Sequence, residues 1–111
     1  MEPAEPRDTV TAIRQSRFLN QVIDAAIRYI DPERIVLYGS RARGSDHATS
    51  DYDIAFAGLL HPQNWSRFVL DLEENAETLL PFDLIRYEDA SCALRSQIDA
   101  DGVILYERPE S

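Results

Sequence analysis

The stretch Leu37–Phe56, LYGSRARGSDHATSDYDIAF, interrupts an apolar run with Gly39-Ser40, two arginines and a pair of aspartates before the apolar character returns. Ile35 to Tyr38 is apolar and β-branched and stops at Gly39, which marks a strand end, and Asp51 to Ala57 reads as a second strand. The quoted stretch is therefore strand, turn, strand. Residues two apart in a strand point to one side, so Asp51 and Asp53 present their carboxylates together while Tyr52 and Ile54 face away. Two aligned anions repel unless a cation or a proton lies between them, and Mg²⁺, a hard ion that takes a few carboxylates plus phosphate oxygens, suits the pair. Standing alone, two acids at a strand start fit a solvated turn better. They do not stand alone: Gly39-Ser40 lets the backbone turn tightly and aims amide N–H groups and the Ser40 hydroxyl at an anion, with Arg43 beside Gly44 as counter-charge. Phosphate donors next to carboxylates that hold Mg²⁺ are what nucleotidyl transfer from a triphosphate needs.

Outward from this stretch, Pro and Gly divide the chain into short alternating elements, without repeats or low-complexity tracts. Residues 1–15 read as a flexible lead-in. From Ser16 to Ile30, Phe18, Leu19, Val22, Ile23, Ala26, Ile27 and Ile30 recur at helical spacing until Asp31-Pro32 ends the pattern. After Pro62, Trp65, Phe68, Val69, Leu72 and Ala76 repeat the helical spacing, with Asp71, Glu73, Glu74 and Glu77 forming an acidic exposed face. Leu80 to Tyr87 reads as a third strand, Asp89 to Ala100 as a short helix closed by Asp101-Gly102, and Val103 to Tyr106 as a final strand. Alternating strands and helices predict an α/β (α+β) domain over residues 16–107, a small mixed sheet covered by helices on at least one face, followed by a tail at 108–111.

Composition narrows the chemistry. A chain of 111 residues, 44% hydrophobic and 28% charged, makes one globular domain with a thin core. The formal charge of −9 argues against direct nucleic-acid binding, which depends on basic contacts to phosphate. All 11 basic residues are arginines, so P-loop, Schiff-base and lysine-base chemistry are closed. His47 and His61 read as solvated loop residues rather than a metal pair, and the lone Cys92, among Ala90, Ala93 and Leu94, as a small buried or half-buried side chain. No apolar run approaches the roughly 20 residues of a membrane span, and the first ten residues lack the marks of a secretory signal, so a cytoplasmic location is expected.

Gly39-Ser40, Arg43-Gly44 and Ser50-Asp51-Tyr52-Asp53 resemble the signature of the polymerase-beta-like nucleotidyltransferase superfamily. The run DPERIVLYGSRARG, the small size and the closing GVILYE are similar to its minimal nucleotidyltransferases (MNT), often encoded beside a HEPN-domain partner. The resemblance spans about 16–107 and implies the minimal polymerase-beta-like fold. It also implies a third carboxylate on a later strand, where PFDLI offers Asp83. On that pattern Asp51, Asp53 and Asp83 are the catalytic acids and the ligands of two Mg²⁺ ions, Gly39, Ser40 and Arg43 hold the triphosphate of ATP, and Asp83 or a neighbour helps deprotonate the acceptor hydroxyl. Tyr38 stands where Phe is more usual and Tyr52 replaces an aliphatic; both are expected to alternate away from the acids as buried rings.

The acceptor follows from the resemblance too. An MNT protein acts as the antitoxin of a HEPN toxin, by binding it and in some members by transferring AMP to a toxin tyrosine, and an acidic surface suits a basic, RNA-binding partner. Two readings stay open: a protein adenylyltransferase, and a binding module with an idle site. A third, a small-molecule (antibiotic) nucleotidyltransferase, needs an acceptor pocket that a homo-oligomer would have to form between subunits. The complete carboxylate set favours the first.

Overall fold

A computed structural model describes residues 16–39, 42 and 51–109. Its order is α1 (Arg17–Tyr29), β1 (Arg34–Tyr38), β2 (Tyr52–Ala57), α2 (Trp65–Asn75), β3 (Phe82–Arg86), α3 (Cys92–Asp101) and β4 (Val103–Glu107). Every element expected from the pattern is present, with ends shifted by up to three residues. The largest shift is at α3: Asp89 lies in a 3₁₀ turn, Tyr87–Asp89, and Ser91 is the cap whose Oγ accepts from the Leu94 N–H, so the helix starts at Cys92. Ser16 caps α1 in the same way, accepting from the Leu19 N–H at 3.1 Å.

The four strands lie in the order β3-β2-β1-β4. β1 runs antiparallel to both β2 and β4, whereas β2 and β3 are parallel, so the sheet is mixed as expected. β1 is central, and Ile35, Val36, Leu37 and Tyr38 are all buried because helices cover both faces. On one face Ile35, Leu37, Ile54 and Phe56 meet the apolar stripe of α1, carrying Phe18, Leu19, Val22 and Ala26, and that of α2, carrying Phe68 and Leu72. Phe18 sits 4.9 Å from the Tyr52 ring and 5.0 Å from Phe82, joining α1 to two strands, while Phe56 packs edge-on against Phe68 at 5.1 Å.

On the other face Val36, Tyr38 and Ala55 pack against Ile98 of α3, with Leu94 beside them. Close approach is possible because Gly102, which ends α3, has no side chain: a Cβ there would run into the Ile98 carbonyl and Val36 Cγ1. The helix turns Leu94 and Ile98 inward, which leaves Cys92 on the opposite side. Cys92 is exposed, not half-buried as its apolar neighbours suggested. His61 is exposed, as expected, and His47 lies outside the described residues. Glu73, Glu74 and Glu77 form the expected acidic surface. Asp71 is only half-buried and holds the Asn75 amide at 2.7 Å. Arg108, past β4, donates its N–H to the Glu33 carbonyl at 2.8 Å and its guanidinium to Asp31. Among the described residues no helix is long and apolar enough to cross a membrane.

Candidate active site

The acids of the candidate site converge through strand register. Asp53 is the second residue of β2; its cross-strand partner on one side is Tyr38 of β1, and on the other is Asp83 of β3. Partners in register share a face, so Tyr38, Asp53 and Asp83 form one row across three strands, at a spacing of about 4.8 Å per strand. Asp51 lies just before β2, two residues from Asp53 and on its side of the chain. Asp83, 30 residues further on in sequence, is thereby placed beside Asp53, as the third-carboxylate pattern anticipates.

Burial differs along the row. Tyr38 is 6% exposed, Asp53 is half-buried, and Asp51 and Asp83 are open to solvent. Partial burial, followed by the charges of Asp83 and Asp51, holds the Asp53 carboxyl above the ordinary carboxylate value. Burial, with the charges of Asp53 and Asp83 behind it, pushes the Tyr38 hydroxyl up to about 12, so it remains a neutral hydroxyl at any physiological pH. The expectation that Tyr38 alternates away from the acids is thus overturned. Alternation within β2 does not fix the facing of β1, and the antiparallel register that pairs Tyr38 with Asp53 puts Tyr38 on the acidic face. Tyr52 does face the other way, against Phe18. Tyr38 is the member of the row that the sequence concealed, because only the pairing of strands reveals it.

Gly39 closes the row. Its φ is +82°, in the left-handed region that favours glycine, and a Cβ on it would stand 2.7 Å from Asp53 Oδ2. The absence of a side chain at Gly39 therefore leaves room for the Asp53 carboxylate against the backbone. Ala42, beyond it, is helical and buried. Ser40 and Arg43, expected to hold triphosphate, lie outside the described residues.

Among the described residues no three carboxylates, imidazoles or thiols are gathered tightly enough to enclose a metal ion. The donor chemistry nevertheless fits a hard divalent cation. Asp53 and Asp83 are aligned oxygen donors, Asp51 adds a third charge, and the Asp53 carboxyl, raised first by partial burial and then by the charges of Asp83 and Asp51, is one whose ionised form a cation would stabilise. Asp53 and Asp83 would hold such an ion from within the sheet, and Asp51 from the mouth of β2.

Comparison with known proteins agrees with this architecture. The family model described as polymerase beta, nucleotidyltransferase, matches residues 20–111. The chain belongs to this family. The nucleotidyltransferase is similar to a chain of a toxin-antitoxin complex solved with AMP-PNP, at 26% identity over 80% of this chain and 73% of that one, with a TM-score of 0.64. It is also similar to a chain of a substituted MntA-HepT toxin-antitoxin complex, at 27% identity over 80% and 72% of the two chains and a TM-score of 0.61. A protein assigned as a minimal nucleotidyltransferase shares the fold, at 21% identity over 92% and 98% of the chains and a TM-score of 0.57. No curated protein matches the chain.

Proposed function

We propose that this nucleotidyltransferase transfers AMP from ATP to a hydroxyl, a tyrosine of a HEPN toxin encoded beside it, and is the antitoxin of that pair. The observation carrying the reading is the register that sets Asp83 beside Asp53, with Asp51 just before the strand that holds Asp53. The resemblance to chains of toxin-antitoxin complexes, one of them solved with AMP-PNP, supports the partner class and the nucleotide. In the reaction the acceptor oxygen bonds to the α-phosphorus, the bond from that phosphorus to the bridging oxygen breaks, and pyrophosphate leaves. The hydroxyl proton passes to Asp83, the exposed carboxylate at the outer end of the row. Mg²⁺, held by Asp51, Asp53 and Asp83, would supply charge neutralisation at the phosphates. Gly39 keeps the Asp53 carboxylate seated against the backbone, and Ser40 and Arg43 are proposed to hold the phosphates. The acidic exterior, in a chain of net charge −9, suits a basic partner.

The test is the intact mass of the partner protein after incubation with this chain, ATP and Mg²⁺. One added AMP is expected with wild type and none with Asp53→Ala, whose fold should be intact. An unchanged mass, with both forms binding the partner tightly, would make the protein a binding antitoxin without transfer.

A further inference from the structure

Among the described residues β3 is an edge strand, and its outer side is free. The Pro81 carbonyl accepts from the Tyr52 N–H at 3.0 Å, so the alternation of an extended chain turns the backbone groups of Asp83 and Ile85 toward β2. Those of Phe82, Leu84 and Arg86 point outward, available to another strand. A cavity of about 400 Å³ lies along this edge. Its walls come from both layers: Trp65 of α2, Leu94 of α3, and Leu84, Ile85 and Arg86 of the strand. A groove bounded by a helix from each face and floored by an edge strand is where a fifth strand would lie. Exposed edges of this kind are recognised by strand addition, main chain for affinity and alternate side chains for specificity.

What occupies the groove follows from the row of partners. Across the sheet the row reads Tyr38, Asp53, Asp83, and its next position belongs to whatever pairs with β3. A residue there would share the face of Asp83 at about one strand spacing, so a hydroxyl side chain at that point meets the carboxylate that takes its proton. Charge adds a second condition. Arg86 and Asp89 pair with each other at 3.0 Å, which leaves Asp83 and Glu88 as the exposed acids along the strand and the turn after it. The edge therefore favours a basic segment. We propose that the free edge of β3 docks an extended, basic segment of the acceptor protein, which adds as a fifth strand and presents its hydroxyl to Asp83. This rests on the reading of the chain as a protein nucleotidyltransferase.

The test is amide hydrogen exchange of this chain, free and in complex with the toxin encoded beside it, run alongside the intact mass of the toxin with ATP and Mg²⁺. The Leu84 and Arg86 amides should slow by about tenfold or more in the complex. Leu84→Pro, which removes the outward N–H, and Ala90→Trp, which fills the groove from outside the strand, should each raise KM for the toxin by about tenfold while ATP binding is unchanged. Ala90→Trp leaves the strand itself untouched and keeps the test valid if Leu84→Pro does not fold. AMP on the toxin with unaltered β3 exchange, or with both variants as active as wild type, overturns the docking and leaves the transfer reading standing. Slowed β3 exchange with an unmodified toxin overturns the transfer reading and with it the acceptor role of the docked segment. Absence of a complex overturns the docking outright.

Discussion

Asp53 carries the electrostatic burden of the site. Its carboxyl is raised by partial burial and by the charges of Asp83 and Asp51, so the native state binds its proton more tightly than the unfolded chain does. Stability from this group is therefore present at low pH and is lost as the pH rises from the ordinary carboxylate range through the raised value. Asp53→Asn removes the loss, and the metal-free variant should melt about 2 °C above wild type at about pH 7, the gap closing near pH 3. The shift is kept small because the group is half-open to solvent. Thermal scans of the two proteins in chelator decide it, and a variant that melts lower at neutral pH would mean Asp53 holds the fold together through contacts other than charge. Gly39 is the complementary case, since its left-handed backbone and the 2.7 Å separation from Asp53 Oδ2 both exclude a side chain. Gly39→Ala should cost about 1–2 kcal/mol in urea unfolding and also weaken Mn²⁺ binding, because the new methyl displaces the Asp53 carboxylate. Loss of stability with unchanged Mn²⁺ affinity would separate the turn from the site.

At the level of elements, Phe18 is the largest side chain in the apolar stripe that fastens α1 to the sheet. Phe18 is 2% exposed and touches Tyr52 of β2 and Phe82 of β3, the two strands that bear Asp53 and Asp83. Phe18→Ala should destabilise by about 3–5 kcal/mol, a large share of the roughly 5–15 kcal/mol typical of a domain. Urea unfolding measures it, and a cost below about 1 kcal/mol would show that the helix is held elsewhere. The helical period that identifies Phe18 as inward-facing was readable directly, as were all four strands, because periodicity is a property of contiguous residues. The partnering of strands was not. Nothing in the spacing of Asp53 and Asp83 states that β2 and β3 lie side by side and parallel; the family pattern supplied Asp83, and the sheet order explains it. Tyr38 shows the limit most clearly: alternation places residues within a strand, but the face it shares with another strand depends on register, which the connecting turn sets. Cys92 misled for a related reason, since its apolar neighbours are in sequence, whereas the phase of α3 is fixed by Leu94 and Ile98.

Over the whole molecule, charge governs encounter more than stability. A formal charge of −9 on 111 residues produces a field that reaches about 10 Å at 0.1 M salt, and the exposed Glu73, Glu74 and Glu77 of and after α2 add to it on the side away from α3. A basic partner would be drawn in along that field, which acts on the approach and leaves contacts at close range largely unaltered. The association rate constant with the toxin should therefore fall about tenfold between roughly 50 mM and 500 mM NaCl, while the dissociation rate changes by less than about threefold. Stopped-flow mixing at several salt concentrations measures both. Replacing Glu73, Glu74 and Glu77 together with Gln should flatten the salt dependence of association, and because the edge groove of β3 is a separate surface, it should do so without slowing AMP transfer inside the formed complex. A salt-independent association rate would indicate that the partner is not basic where it meets this chain, and would shift the search for the acceptor toward an uncharged segment at the same edge.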